Sequence, residues 1–275
     1  MSPLQPSAPP PGEVFLSRVI LTARGLNDPY KVHQALWRAF PGWSPADPRT
    51  GRRRDPAGVE SPWPAFLWRA DRRRDDDGAR FVALVQSPTV PAWEQVGAAV
   101  TEASVKRVRW NLTAGQSRRF FLRANPTQAR KDARQRVHVG GEDIALGSLD
   151  EAAYRARRGV RVALWGDDDR HDWLVRKLAS AGARLAERTL RDEPFDGPAT
   201  TRSLGAARTQ ARKVWRWNDK GREATHDGID FEGIVEIADP ATLHGALLSG
   251  LGAAKGIGFG LLSLGLLAGE ADAVP

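Results

Sequence analysis

Tyr30 and His33 stand three residues apart in the segment NDPYKVHQALWRAF, residues 27–40. Histidine is the side chain best suited to moving protons near neutral pH, and a tyrosine beside it can donate a hydrogen bond. On a helix, Val32, Leu36, Ala39 and Phe40 form one apolar stripe, while Tyr30, His33 and Trp37 form a second, roughly 100° away. The second stripe lies at the margin of a core, where a group can be partly wet and still held in place. The spacing fits a proton-transfer pair. It also fits a plainer use, boundary residues packed on Trp37.

A second feature is the loop GLGAAKGIGFG, which places glycine at 250, 252, 256, 258 and 260 around Lys255. Glycine lets backbone amides approach an anion closely. Gly252, Lys255, Gly256 and Gly258 are therefore candidate phosphate contacts, a glycine-rich packing corner being the alternative. No Gly-Lys-Ser/Thr sequence is present and a strand follows, so this is not a Walker loop. A third feature is the run RRFFLRANPTQARKDARQRVHV, residues 118–139. It supplies Arg118, Arg119, Arg123, Arg130, Lys131, Arg134 and Arg136, to which a following helix adds Arg170 and Lys177 on one stripe with Trp173. Such a surface suits the phosphates of a double-stranded RNA stem, an ordinary solvated face being the plainer use that the one-sided count argues against. Arg24, before the helix, and Lys31, between Tyr30 and His33, are further candidate RNA contacts. The runs Asp75–Asp77 and Asp167–Asp169 could attract a divalent ion, but a turn tip and a helix start are their plainer uses. The remaining histidines, His138, His171, His226 and His244, lack close metal-ligand spacing, and the chain has no cysteine. No metal site and no cofactor are expected.

The elements that must position these residues can be read from turn and periodicity signals. Residues 1–13 are Pro-rich and read as a disordered extension. Val14 to Ala23 reads as a strand. Asp28 and Pro29 start a helix that runs to Phe40. Residues 43–64 read as a loop, then 65–70 and 80–86 as a strand pair around a charged tip. A short helix over 91–103 and a strand over 105–112 complete a β-α-β-β-α-β order. Gly115-Gln116 is a joint. A strand over 118–124 then leads into a long basic segment, followed by a helix over 167–181. A strand over 185–190, strands over 207–217 and 228–237, a helix from Asp239-Pro240 and a strand over 261–267 repeat the order. The expected architecture is α+β: two tandem ferredoxin-like domains, 14–114 and 115–275.

Charge separates the regions. The chain of 275 residues has a formal net charge of +8, but residues 106–222 carry 27 basic and 14 acidic groups, and residues 223–275 carry one lysine and eight acids. Arginine makes up 34 of the 41 basic residues, and its planar fork grips phosphate in bidentate fashion. A basic middle beside an acidic tail points to a localised polyanion surface. The longest apolar stretch, 257–268, is too short and glycine-rich to span a bilayer. The opening lacks a secretory signal pattern, so a cytoplasmic location and no membrane partner are expected.

In order along the chain, VFLSRVIL, NDPYKVHQALWRAF, VALVQSPTVP, RRFFLRANPT, WLVRKL and GIGFGLLSLGLL resemble the CasE family, the precursor-CRISPR-RNA endoribonucleases of type I-E systems. The resemblance spans about residues 14–267. It implies two ferredoxin-like domains, cleavage of the CRISPR repeat RNA at the base of its hairpin, and retention of the mature guide in the Cascade complex beside the adjacent backbone subunit. It makes Tyr30 and His33 the catalytic pair and puts the glycine loop near the RNA. It implies attack by a ribose 2′-OH without metal. The chain departs from the family at residues 1–13, in an enlarged 43–64 loop and in an insertion near 141–160. Two rivals remain: a non-catalytic RNA-hairpin binding subunit, and a divalent-metal nuclease using the aspartate runs.

Overall fold

The computed structural model describes residues 13–22, 28–45, 53–61, 63–71, 80–130, 136–139, 142–145, 160–186, 189–192, 200–203, 208–219 and 222–267. The Pro-rich extension before Glu13, the tip at 72–79 and most of the 141–160 insertion lie outside these residues.

Four antiparallel strands form the first sheet: β1 (Glu13–Thr22), β2 (Leu67–Asp71), β3 (Arg80–Ser87) and β4 (Val100–Arg109), in the spatial order β2-β3-β1-β4. Val19 faces Ala83 on one neighbour and Ala103 on the other. Helix α1 (Pro29–Trp37) crosses between β1 and β2 and buries Val32, Ala35 and Leu36 on this sheet. Its start is local chemistry. The Asp28 carboxylate accepts from the Tyr30 amide at 2.7 Å, and Pro29 occupies the first turn, where no amide is needed. Its end is a tight turn in which the amides of Ala39 and Phe40 donate to the carbonyls of Leu36 and Trp37. The core beneath contains Leu21, Leu36, Phe40, Phe66, Trp68, Val85 and Trp93.

The second sheet repeats the plan. Strands β5 (Ser117–Ala124), β6 (Ala183–Leu185), β8 (Arg222–Ile237) and β9 (Leu262–Gly265) lie in the order β6-β8-β5-β9, and β7 (Arg208–Asp219) extends β8 as a hairpin. Helices α2 (Asp167–Ser180) and α3 (Pro240–Ser249) cover one face. Trp173, Leu174, Leu178, Leu243 and Leu247 pack there on Phe120, Leu122, Ile229 and Phe231. In both sheets the first and third strands of the unit are central, the ferredoxin-like arrangement.

Several expected boundaries move. The 91–103 helix is only a 3-10 turn, Trp93–Ala99, broken at Gly97 (φ 74°), and β4 starts at Val100 instead of 105. The 43–64 loop contains a two-residue ladder, Arg53–Arg54 with Glu60–Ser61. The basic segment after β5 is built of hairpins, Thr127–Arg130 with Val160–Ala163 and Arg136–Val139 with Glu142–Ala145. The strand expected at 228–237 begins at Arg222. The strand expected at 185–190 divides into β6 and a separate Thr189–Asp192.

The two sheets are bonded to each other. Gln86 Nε2 donates to the Leu247 carbonyl at 2.8 Å, and Arg69 Nη1 donates to Ser263 Oγ at 2.7 Å. Arg123, 3% exposed, forms a bidentate pair with Asp230 at 2.6 and 2.7 Å and donates to the Ala70 carbonyl. Arg123 is thus corrected from RNA contact to structural pin: its fork is spent on a buried carboxylate and on the first sheet's backbone.

Candidate active site

Helix α1 presents Tyr30 to solvent, 54% exposed, one turn before His33. The His33 ring is half-buried between aromatic side chains, its centroid 4.9 Å from Phe66 and 5.9 Å from Trp37. Phe66 is itself stacked on Phe40 at 4.7 Å, so the wall behind the histidine is continuous with the core. His33 Nδ1 is buried without a hydrogen-bond partner. The Arg53 guanidinium lies over the Trp37 ring at 4.4 Å. Burial, and then the positive charge of Arg53, hold the His33 pKa down to about 4. Both causes penalise the imidazolium. At neutral pH the ring is neutral and able to accept a proton.

The glycine loop faces this helix. Its ends are tied by the Leu251 amide donating to the Gly260 carbonyl at 2.8 Å, and by the Gly260 amide donating to the Arg123 carbonyl at 2.7 Å. A Cβ at Gly260 (φ 85°) would stand 2.6 Å from the Leu251 carbonyl oxygen, so only glycine fits. Within the loop, the turn Lys255–Ile257 lies against α1 and β2. Trp68 Nε1 donates to the Gly256 carbonyl at 3.4 Å. Lys255 is half-buried, and its pKa is lowered by burial and then by the nearby Lys177 ammonium. Lys177 reaches this seam from α2, one turn beyond Trp173, which packs on Gly252. No acidic side chain pairs with Lys255 among the described residues. Two cations near enough to feel each other's charge, with no ion pair between either and an acid among the described residues, suit an anion.

A protein-family model described as "CRISPR associated protein" matches residues 14–265. The chain belongs to that family. Its similarity is to CasE in particular: the CRISPR system Cascade subunit CasE of Escherichia coli K12 is 26% identical over 253 residues, 91% of this chain and 98% of the relative. The CRISPR-associated endoribonuclease Cse3 of Thermus thermophilus is 28% identical over 242 residues, 88% of this chain and 92% of that protein. Among solved structures, Thermus thermophilus Cse3 bound to an RNA representing a pre-cleavage complex superposes with a TM-score of 0.61 at 25% identity, covering 92% of this chain and 99% of that one. Cas6e from Escherichia coli K-12 gives 0.58 at 26% identity, covering 92% and 100%. The tandem ferredoxin-like fold is shared with both.

For this CasE-family chain, the expected site residues divide by placement. Lys31, Arg119, Lys177 and Gly256 are exposed, and Lys255 is half-exposed beside α1. Gly252 and Gly258 serve as packing corners, a Cβ on either falling 3.0–3.2 Å from the rings of Trp173 and Trp68. Arg170 is half-buried: its Nε donates to the Leu164 carbonyl at 3.1 Å and its Nη1 pairs with Asp167 at 3.0 Å, so its fork is occupied at the start of α2. Arg118 is buried to 9% exposure. These two are corrected from open RNA contacts to framework residues. Arg130 and Arg136 lie on strands whose side chains there are outside the described residues, as are Arg24, Lys131 and Arg134 entirely. Asp167–Asp169 form the first turn of α2, where acids complement the helix dipole, and Asp75–Asp77 lie outside the described residues. Sequence reasoning missed Arg53 and Phe66. The available signal was the Arg52-Arg53-Arg54 run inside a loop rich in Trp and Pro.

Proposed function

We propose that this chain is a CRISPR RNA-processing endoribonuclease that cleaves repeat RNA at the base of its hairpin and keeps the mature guide within a Cascade assembly, beside the backbone subunit. The relatives named CasE and Cse3, and the RNA-bound Cse3 structure, support the activity class. The observation that carries the site is His33: a neutral, partly accessible imidazole beside exposed Tyr30, with the cationic glycine turn packed on the same helix. In this reading the joint at Gly115-Gln116 separates a 14–114 domain bearing α1 from a 115–275 domain bearing the glycine loop and basic surface.

The ribose 2′-oxygen attacks the adjacent phosphorus, and the 5′-oxygen of the next nucleotide leaves. The neutral His33 ring takes the 2′-OH proton, and Tyr30 orients that hydroxyl. Lys255, with Lys177 behind it, stabilises charge gathering on the phosphorane oxygens. The departing 5′-oxygen takes its proton from water, His33 gives its own back to solvent, and the products are a 2′,3′-cyclic phosphate and a 5′-OH end. No described helix is long and apolar enough to cross a membrane, and the proposal places the protein in the cytoplasm.

The test incubates the chain with its own repeat RNA in chelator, wild type beside His33→Ala. A positioned proton-transfer group contributes about 10²–10⁴-fold, so cleavage falls by that order while hairpin binding stays near normal. Equal loss of binding makes His33 structural. Cleavage restored only by Mg²⁺, with 5′-phosphate ends, removes the 2′-OH route. Binding without any cleavage by the wild type assigns the chain as a non-catalytic hairpin-binding subunit.

A further inference from the structure

The segment between α1 and β2 is held by more bonds than a solvated loop needs. The Ser44 amide donates to the Arg54 carbonyl at 3.0 Å, and the Arg54 amide donates back to Ser44 Oγ at 2.7 Å. The Asp55 carboxylate accepts from the amides of Ala57 and Val59 at 3.0 and 2.9 Å, closing a turn that uses Gly58 at φ 79°. Successive residues on a ladder point to opposite sides. Arg54 is exposed and donates to the Gly58 carbonyl, while Arg53 turns inward onto Trp37. One face of the Arg53 guanidinium rests on the indole, and Nη1 donates to the Ser44 carbonyl at 3.2 Å. No acidic side chain pairs with it among the described residues, and its charge acts on His33, whose ring lies 5.9 Å from the same Trp37.

A half-buried guanidinium with no acidic partner among the described residues, sharing the Trp37 ring with a histidine that burial and then its charge keep neutral, is poised for an anion that arrives later. We propose that Arg53 grips the scissile phosphate of the RNA with the guanidinium edge left open by Trp37 and Ser44. The inference rests on cleavage at His33 and adds a phosphate-binding residue from the loop in which this chain departs from its family. The indole stack fixes the plane of the fork before RNA binds, so a bidentate grip on two phosphate oxygens orders little else. Lys255 approaches from the glycine turn as a point charge, a different kind of contact from a different domain.

The test is a cycle between Arg53 and the phosphate. Uncleavable repeat RNA, with a 2′-deoxy sugar at the cleavage position, carries either a normal phosphate or a neutral methylphosphonate there. Wild-type protein is expected to bind the normal RNA about 10-fold or more tightly than the methylphosphonate, the range for a hydrogen-bonded charge. Arg53→Gln is expected to bind the two about equally, with a melting temperature near wild type, and Arg53→Lys to recover part of the difference. On cleavable RNA, Arg53→Gln is expected to slow single-turnover cleavage by about 10²–10³-fold, as for loss of one preorganised donor. A merely structural role lowers affinity for both RNAs alike and leaves the phosphate preference intact; that result, or wild-type cleavage by Arg53→Gln, overturns the proposal. Failure of wild-type protein to cleave overturns the endonuclease reading alone, because the binding cycle does not depend on cleavage.

Discussion

The pH dependence of cleavage decides between the two proton-transfer roles open to His33. Its pKa is about 4 in the folded chain, so at about pH 7 about one ring in 10³ is protonated. Among the described residues, Arg53, Lys255 and the exposed Glu94 lie on segments packed against α1, and Asp28, Lys31 and Arg38 lie on the helix or its caps; of these, Arg53 is the charge that lowers the His33 pKa. If His33 is the base, kcat/KM is flat with respect to this group from about pH 5 upward and falls only as pH drops through about 4. If it were the acid, kcat/KM would fall about tenfold per pH unit over the same range, because the active form becomes scarcer. The assay is single-turnover cleavage at sub-saturating protein, in chelator, with His33→Ala subtracted as background. A plateau is expected. A tenfold loss per unit refutes the base assignment, and an inflection near the ordinary histidine value of 6.5 refutes the desolvated ring. The same pKa has a stability consequence of fixed sign. The native chain binds fewer protons than the unfolded chain between about pH 4 and 6.5, so stability is complete above about 6.5 and is lost as pH falls toward 4, by about 3 kcal/mol from this group.

Other perturbations have outcomes as definite. Asp230→Ala strands the buried Arg123 guanidinium and should cost about 3–5 kcal/mol in denaturant unfolding; a change under about 1 kcal/mol would mean that the pair is not desolvated. Gly182→Ala places a Cβ 2.5 Å from the Asp239 carbonyl oxygen at φ 75°. It should lower the melting temperature by several degrees, about 1–3 kcal/mol of strain. Lys177→Ala and Lys255→Ala should each weaken hairpin binding and lower the slope of log Kd against log salt by about 1; an unchanged slope would remove that lysine from the phosphate surface.

What the sequence made legible was mostly local. Asp28-Pro29 specifies the start of α1 through its own side chain and ring, and the structure shows the carboxylate on the Tyr30 amide. The helical stripe that put Tyr30 and His33 at the core margin needed only periodicity, and one is exposed and the other half-buried. The glycine loop was legible because several of its glycines take left-handed backbone, at 250, 252, 258 and 260. What failed was set by partners distant in the chain. Arg123 reads as a surface cation until Asp230, 107 residues away, is brought beside it. His33 reads as an ordinary titrating group until Phe66 and Arg53 arrive. The helix expected to reach residue 103 stops early because Gly97 leaves helical space and β1 offers β4 a ladder from Val100, a tertiary gain that helix propensity cannot signal.

The candidate site is divided between two sheets, and the contact between them combines apolar packing, Leu67 on Gly250 and Trp68 on Gly258, with directional bonds. Tyr30, His33 and Arg53 belong to the first sheet's layer, whereas Lys255 and Lys177 belong to the second. An apolar seam would hold the halves together but tolerate sliding, because apolar contact is non-directional. Hydrogen bonds carry directions, and here they surround the contact. Arg69 reaches Ser263, Gln86 reaches Leu247, Trp68 reaches Gly256, and Arg123 clamps Ala70 while its own strand receives the Gly260 amide. Arg123 therefore fixes both the end of β2 and the end of the glycine loop. The guanidinium that sequence reasoning assigned to RNA governs where the glycine loop sits against α1. A misplacement of about 1 Å can cost about 10²-fold in rate, so on the proposed chemistry Asp230→Ala is expected to slow cleavage as well as to lower stability, through the position of the glycine loop and not through contact with RNA.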